Sequence, residues 1–421
     1  DAGNLLVQGD NLEALKALLP YYGGQVKCIY IDPPFNTGSE DWIYNDNNNH
    51  PEIRNWLGKQ VGDEASDLSR HDKWLCMMYP RARLLRDFLR EDGTLFVHID
   101  DNELGYAITL FDEIFGRSNR MYVISFKQAS ATGHKAINPG CVNIMNQVII
   151  YSKNRANWHP NRVFTGRGRD KRYGSWIENV DEPFERWRIR TVMSGFAESL
   201  GIPIKEARAL AKEEPDYLDD FVLKNAKSVC QLVTPDYNNV GQETRERIDI
   251  SRLDEERIFR VERQGYSDVY LKGGKRILFY FDKIKIIDGQ PVAGEPLTTL
   301  WDDLLSNNIH NEGGVAFPKG KKPEALIKRC FELATDPKSN DLVLDSFAGS
   351  GTTAAVAMKM GLRFLTVEMG EHAQSHVAKR LRAVVDGTDK SGVSNDLGWK
   401  GGGGFRYCRL GVPLFNEFGD I

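Results

Sequence analysis

Asp32-Pro33-Pro34-Phe35 follows directly on the apolar run Val26-Lys27-Cys28-Ile29-Tyr30-Ile31, and its residue types can receive a substrate amine. Two prolines fix φ and carry no N–H, so the chain must leave any sheet at this corner and presents acceptors there. The Asp32 carboxylate and the Pro33 carbonyl can accept both hydrogens of one amino group, while Phe35 offers a flat face for a planar ring. An exocyclic amine on an aromatic base has that shape. A strand followed by Asp-Pro-Pro also makes a plain rigid turn, and the four residues alone do not separate the two readings.

A second chemical set lies 345 − 32 = 313 positions away. The stretch 342–354, LVLDSFAGSGTTA, reads as a buried strand ending at Asp345, a glycine-rich turn and a helix start. Gly349 and Gly351 allow a tight turn and a close ligand approach, with Phe347, Ser350, Thr352 and Thr353 around them, and a helix N-terminus favours a carboxylate or phosphate. Glu368 ends the next strand, 368 − 349 = 19 residues after Gly349, where an acid can accept from both hydroxyls of a ribose. The loop also fits the loose dinucleotide fingerprint, so a nicotinamide-dependent oxidoreductase competes as a reading.

The elements that must position these residues follow from periodicity. Leu5 to Leu19 reads as a strand, a turn at Gly9-Asp10-Asn11 and an amphipathic helix with Asp10 as N-cap. Residues 36–70, rich in Asn, Asp, Gly and Ser, read as a long mobile loop over the Asp32 corner. Asp72 to Asp92 is an amphipathic helix stopped by Gly93, Thr94 to Ile99 a buried strand, and Glu103 to Phe115 a further helix; Met121 to Phe126 and Gln147 to Ser152 have strand character. From Asn154 the pattern breaks into Gly, cations and aromatics, with a helical stretch from Gly201 to Lys227 and a strand pair over Arg276 to Ile287. Regular α/β character resumes with the helix Glu324 to Thr335 and the strands Asp341 to Asp345 and Arg363 to Glu368. If the Asp345 strand is strand 1 and the Asp32 strand is strand 4 of a doubly wound 3-2-1-4-5 sheet, both sets meet at the crevice where such sheets bind ligands.

The chain has 421 residues, 41% of them hydrophobic and 27% charged, which supports more than one domain of ordinary globular character. No stretch approaches the apolar length of a membrane span, and the expected setting is the cytoplasm. Its six cysteines lie apart with no CxxC pair, which argues against a disulfide framework and against a metal site. No Pro-Cys dipeptide supplies the thiol that methylation of a base ring carbon would need, and no GxxxxGK[ST] loop indicates a nucleotide-driven motor. The net charge of −4 gives no sign of nucleic acid, but residues 121–190 hold 12 Lys and Arg against 5 Asp and Glu.

DPPF early, DxFxGSGTT late and a basic insertion between them resemble the β-class amino-methyltransferases of DNA. Gly93 to Glu103 and the tail from Gly401 to Leu410 resemble, more narrowly, the modification subunits of type III restriction-modification systems. The resemblance implies a Rossmann-like, S-adenosylmethionine-dependent α/β sheet, circularly permuted, with halves at residues 1–153 and 297–421 and an inserted target-recognition domain at 154–296. It implies N6 methylation of a flipped-out adenine, with N4 methylation of cytosine as the alternative, since the family associates Asp at the first DPPF position with adenine. Asp32, Pro33, Pro34 and Phe35 become catalytic; Phe35 stands where Tyr is usual. Asp345, Phe347, Gly349, Ser350, Gly351, Thr352, Thr353 and Glu368 become cofactor-binding, joined by Lys322 and Pro323 of the segment 317–326, and Asp10 either touches cofactor or only caps its helix. Lys153, Arg155, Arg162, Arg167, Arg169, Lys171 and Arg172, against Asp170 alone, become candidates for phosphate and base contacts. Double-stranded DNA, a homodimer and a separate restriction subunit are the implied partners. A DNA-binding specificity subunit with lost chemistry is the remaining alternative.

Overall fold

The computed structural model describes residues 3–36, 69–130, 140–287, 289–304, 309–317 and 320–411. The loop expected over the Asp32 corner, apart from its ends, lies outside the described residues. The chain divides into two compact units, Asp1–Val163 with Thr298–Ile421, and Phe164–Leu297.

The first unit begins with strand β1 (Leu5–Gln8), helix α1 (Asn11–Tyr22) and strand β2 (Val26–Ile31). Asp10 does cap α1: its Oδ1 accepts from the N–H groups of Leu12 and Glu13 at 2.8 and 3.2 Å. Helix α2 (Ser69–Phe88) and strand β3 (Leu89–Ile99) follow, then α3 (Leu104–Phe115), β4 (Arg120–Lys127) and β5 (Met145–Ser152). The stop expected at Gly93 is wrong. The helix gives way at Phe88 because Leu89 already pairs with Val26 of β2, and the pairing resumes out of step at Cys28 with Thr94. Gly93 sits in that irregularity, where a Cβ would lie 2.9 Å from the Arg90 carbonyl and 3.1 Å from the Val26 carbonyl.

The second unit carries strands β6 (Phe164–Gly166), β7 (Ser175–Ile177) and β8 (Ile189–Thr191), helices α4 (Val192–Leu200), α5 (Ile204–Glu213) and α6 (Pro215–Lys224), and strand β9 (Val229–Val233). Helix α7 (Gln242–Leu253) precedes β10 (Phe259–Val261), β11 (Val269–Lys272), β12 (Lys275–Phe279), β13 (Ile284–Ile287) and β14 (Gln290–Pro296). Six strands form one sheet in the order β10-β11-β12-β9-β7-β8, and β13-β14-β6 form another. The expected strand pair over 276–287 is therefore split: β12 pairs with β11 and β9, while β13 pairs with β14. Phe196, Leu218, Phe221, Val222 and Val229 build the unit's larger core. Its start falls ten residues later than the expected break at 153/154, because 154–163 are tied to the first unit. Trp158 Nε1 donates to Thr94 Oγ1 at 3.0 Å, and the Asn161 amide donates to the Glu332 and Thr335 carbonyls.

The chain returns to the first unit with β15 (Leu300–Trp301), α8 (Glu324–Ala334), β16 (Leu342–Asp345), α9 (Thr352–Lys359), β17 (Arg363–Glu368), α10 (Lys379–Val385) and β18 (Arg406–Arg409). The nine-stranded sheet runs β15-β4-β5-β3-β2-β16-β17-β1-β18. Within it β1-β17-β16-β2-β3 is the expected 3-2-1-4-5 order, and all four pairings are parallel. β5 runs antiparallel to both β3 and β4. Val26, Ile29 and Ile31 of β2 pack with Trp74, Leu85, Leu95, Phe111 and Leu344 in a core of fully buried side chains, while α8 lies against β2 as well. Burial on both faces is why β2 and β16 read as continuous apolar runs rather than alternating ones.

Candidate functional site

β2 and β16 are neighbours, with Cys28 opposite Val343 and Ile29 opposite Leu344, so Asp32 and Asp345 leave adjacent parallel strands at the same edge. A cavity of about 360 Å³ opens there, a size suited to a small-molecule ligand. Asp32, Pro33, Pro34 and Phe35 line it from one side, and Asp345, Phe347, Gly349, Ser350, Thr352, Thr353 and Glu368 from the other. Lys322 lines it too. Of the expected residues, Asp10, Gly351 and Pro323 do not. Asp10 caps α1 and accepts from Arg81 Nη2 at 3.2 Å, Gly351 is the left-handed N-cap of α9, and Pro323 is the N-cap of α8.

The glycine loop spends its own N–H groups. Phe347 N–H donates to Asp345 Oδ1 at 2.8 Å, Gly349 N–H to Glu368 Oε2 at 2.6 Å, Ala348 N–H to the Val367 carbonyl and Gly351 N–H to the Ala348 carbonyl. A pyrophosphate would need such donors unengaged. Instead the cavity presents carboxylates: burial pushes Asp345 up to about 7 and Glu368 up to about 8, against the opposing pull of those N–H bonds. Carboxyl groups at these positions can accept from ribose hydroxyls, and the engaged N–H groups of Phe347, Ala348, Gly349 and Gly351 are not available to a pyrophosphate. The nicotinamide reading loses its physical support at this point.

The Asp32 corner is held from three directions. Trp74 Nε1 donates to the Pro34 carbonyl at 2.8 Å, and Asn36 donates to Arg70 O and to Glu103 Oε1, which also meets His71 Nδ1 at 2.6 Å. Asn36 holds a left-handed φ of 53°, a conformation that the bond to Glu103 maintains against its strain. Phe35 stacks on His98 with centroids 5.9 Å apart and planes at 22°. His98 is fully buried: Asn146 Nδ2 donates to its Nε2 at 3.0 Å, which leaves Nδ1–H to donate to Tyr30 Oη at 2.9 Å. Burial and the Lys322 cation hold its pKa well below the usual imidazole range, so it stays neutral. His98 therefore shapes the corner by packing.

Lys322 Nζ lies 2.6 Å from Asp32 Oδ2 and 4.7 Å from the centroid of the Phe35 ring. Asp32 Oδ1 is buried and has no hydrogen-bond partner among the described residues, and none of them donates to the Pro33 carbonyl. Asp32 and Pro33 both line the cavity, and each keeps an acceptor that no described residue engages.

Behind the loop a buried ionic cluster joins α8, α9 and α10. Glu324 accepts Lys359 Nζ at 2.9 and 2.7 Å and Arg380 Nη2 at 2.7 Å, Lys359 also meets Asp389 at 2.8 Å, and Arg380 Nη1 donates to Thr352 Oγ1 at 2.8 Å. Sequence reasoning missed this cluster, as it missed the roles of Trp74, Asn36 and Glu103 and the cavity residues Tyr30, Ile327 and Ala348. Tyr30 was within reach, since it sits two residues before Asp32 on one strand face.

The seven basic candidates are distributed over both units. Lys153 is turned inward and donates to the Arg86 carbonyl; Arg155 donates to Ser118 O at 3.3 Å. Arg167 faces Glu295 at 3.7 Å, Arg169 faces Asp219 at 2.7 Å and Arg172 faces Asp170 at 2.6 Å. Arg167 and Arg169 thus pair with acids distant in sequence, and Arg172 with its neighbour Asp170. Tyr151 of β5 is buried and donates to Asp112 Oδ1 at 2.7 Å, packed on Phe111 and Phe115 away from the cavity.

A family model of N6/N4 methyltransferases, described as DNA methylase, matches residues 26–379. The chain belongs to this DNA methylase family. It is 28% identical over 448 residues to a Haemophilus influenzae protein described as the probable HindVI Mod subunit of a type III restriction-modification enzyme, covering 99% of this chain and 55% of that protein. It is 29% identical over 423 residues to the Escherichia coli EcoP15I Mod subunit, covering 87% of this chain and 58% of that one. This DNA methylase chain thus spans little more than half the length of these relatives. Among solved structures, the cytosine-N4-specific PvuII DNA methyltransferase is similar at a TM-score of 0.42 and 12% identity, over 96% of this chain and 94% of that chain, too weak a likeness to bear on the site. Among the described residues no helix is long and apolar enough to cross a membrane, and no cluster of His, Cys, Asp or Glu could hold a metal ion.

Proposed function

We propose that this protein transfers a methyl group from S-adenosylmethionine to the N6 amine of an adenine in double-stranded DNA. The observation that carries the reading is the meeting of the Asp32-Pro33-Pro34-Phe35 corner with the glycine loop and Glu368 in one cavity. Glu368 supports the ribose hydroxyls, Phe347 the adenine ring of the cofactor, and Asp345, Glu368 and Asp32 together favour a cation. S-adenosylmethionine supplies an electrophilic methyl group on a sulfonium. Asp32 and Pro33 take the two amine hydrogens, which localises the nitrogen lone pair and accepts the proton charge that develops on transfer. The base must leave the duplex at a cost of a few kcal/mol, and Phe35, backed by His98, replaces part of its lost stacking. Asp at the head of the DPPF corner favours adenine over cytosine.

The second unit serves as target-recognition domain, with Arg167, Arg169, Lys171 and Arg172 as its basic candidates, and the names of the Mod relatives, subunits of restriction-modification enzymes, support a separate restriction subunit as partner. The test is methyl transfer from labelled cofactor to duplex DNA, with nucleoside analysis of the product. N6-methyladenine that disappears in Asp32→Ala, with cofactor and DNA still bound, supports the reading. N4-methylcytosine overturns the base assignment, and undiminished turnover in Asp32→Ala overturns the mechanism.

A further inference from the structure

The fold brings Lys322 to Asp32 across 322 − 32 = 290 positions. The ammonium is fixed three ways: by Asp32 Oδ2 at 2.6 Å, by the Gly320 carbonyl at 3.1 Å and by the Phe35 ring at 4.7 Å from its centroid. The Lys322 side chain keeps only 8% of its exposure, so this is a built contact and not a surface lysine that happens to lie near an acid. We propose that Lys322 is a positioning residue for methyl transfer: its ammonium holds the Asp32 carboxyl by Oδ2 and opposes its protonation, so that Asp32 serves as an acceptor for the target amine. The inference rests on the reading of Asp32 as the amine acceptor.

An uncharged carboxyl at Asp32 would fail that role. A proton on either oxygen converts an acceptor into a donor, and an amine hydrogen then meets an O–H or a weaker carbonyl oxygen. The surroundings favour such a proton. Tyr30 of β2 lies beside the buried carboxyl, β3 contributes the neutral His98, Asp100 follows just past the end of β3, and β16 contributes Asp345. Burial raises the Asp32 pKa and Asp100 adds to the rise, while Lys322 is the one group that opposes both, by its charge and by its hydrogen bond. The cation lies 2.6 Å from one oxygen, Oδ2, while the other, Oδ1, has no partner among the described residues. Lys322, expected among the cofactor ligands, is assigned here to the acceptor side of the cavity.

The sign follows directly. Removing the cation raises the Asp32 pKa, so activity that needs the carboxylate is lost at lower pH and recovers as pH climbs. The experiment compares the purified protein with Lys322→Met and Lys322→Arg, measuring kcat/KM for duplex DNA at saturating cofactor from about pH 6 to 9, with the cofactor Kd measured separately. An opposite charge at this range moves a carboxyl by 1–3 units, so the acid limb of Lys322→Met should shift upward by about one unit or more and neutral-pH rate should fall roughly tenfold. Raising the pH should restore the rate, and Lys322→Arg should keep the limb near that of the parent. An acid limb that coincides with the parent's in Lys322→Met, whether or not the rate or the cofactor Kd changes, overturns the inference. If the methionine variant does not fold, Lys322→Gln replaces it and is read by the same two outcomes. A parent protein that transfers no methyl group to DNA, or an Asp32→Asn variant with the parent's rate and profile, overturns the underlying reading instead, and the two failures are told apart by that control.

Discussion

Replacing Glu324 by Gln tests whether the ionic cluster behind the glycine loop holds the site together. Glu324, Lys359 and Arg380 have fully buried side chains, and two carboxylates, Glu324 and Asp389, balance two cations. The space around them is closed: a Cβ on Gly392 would lie 2.2 Å from Glu324 Oε2 and one on Gly313 2.2 Å from Arg380 Nε. With Gln at 324, Lys359 retains Asp389 at 2.8 Å but the quartet carries one uncompensated positive charge. Breaking a buried pair on one side costs about 3–5 kcal/mol, because the remaining ion stays desolvated. At a few °C per kcal/mol for a domain of this size, the melting temperature should drop by roughly 10 °C. Calorimetry of the single variant, of Arg380→Met and of the double variant measures it. The double variant restores neutrality, so it should be more stable than the sum of the singles by about 0.5–3 kcal/mol. A Glu324→Gln protein that melts within about 2 °C of the parent, or singles that simply add, would refute the view that this cluster contributes net energy.

Three further outcomes follow from the site. Glu368 and Asp345 titrate at about 8 and about 7 in the fold, above their usual 4.5 and 3.8, so the folded state binds more protons than the unfolded one across that window. Stability of the cofactor-free protein should therefore fall as pH rises from about 5 to 8, and Glu368→Gln should flatten the decline in a melting-temperature series. Gly351→Ala should lower stability more than Gly361→Ala, since both glycines have positive φ (77° and 73°) but only at Gly351 would a Cβ meet Val377, at 3.0 Å; paired urea titrations read the difference. Trp74→Phe removes the donor to the Pro34 carbonyl while filling most of the same volume, and should lower kcat for methyl transfer several-fold with little change in cofactor Kd, at a cost of about 1 kcal/mol.

What could be read from the residues divides along a physical line. β2, β16 and β17 are buried on both faces, and their apolar runs ending in Asp32, Asp345 and Glu368 declared themselves, as did the order of five strands that the two chemical sets required. The α2–β3 boundary was misplaced because Gly93 is a strong local stop, whereas the deciding interaction, Leu89 on Val26, is tertiary. The basic run 167–172 looked free because charge counting sees neighbours in sequence, and its partners Asp219 and Glu295 lie 50 and 128 positions away from Arg169 and Arg167. Lys322 was expected at the cofactor from the family resemblance, and nothing near it in sequence announces its contact with Asp32.

The permuted strand order also sets when the protein becomes competent. β2 must wait for β16, some three hundred residues later, and closing a loop of that length costs about 5 kcal/mol of chain entropy if the intervening chain is unstructured. The second unit, compact in itself, shortens the effective loop once it has folded. Synthesis from the N-terminus delivers the acceptor corner early and the glycine loop late, so the cavity is among the last features to form. A nascent chain carries half a site and has no methyl-transfer capacity until β16 and β17 have been made and docked, which ties the onset of DNA modification to completion of the fold.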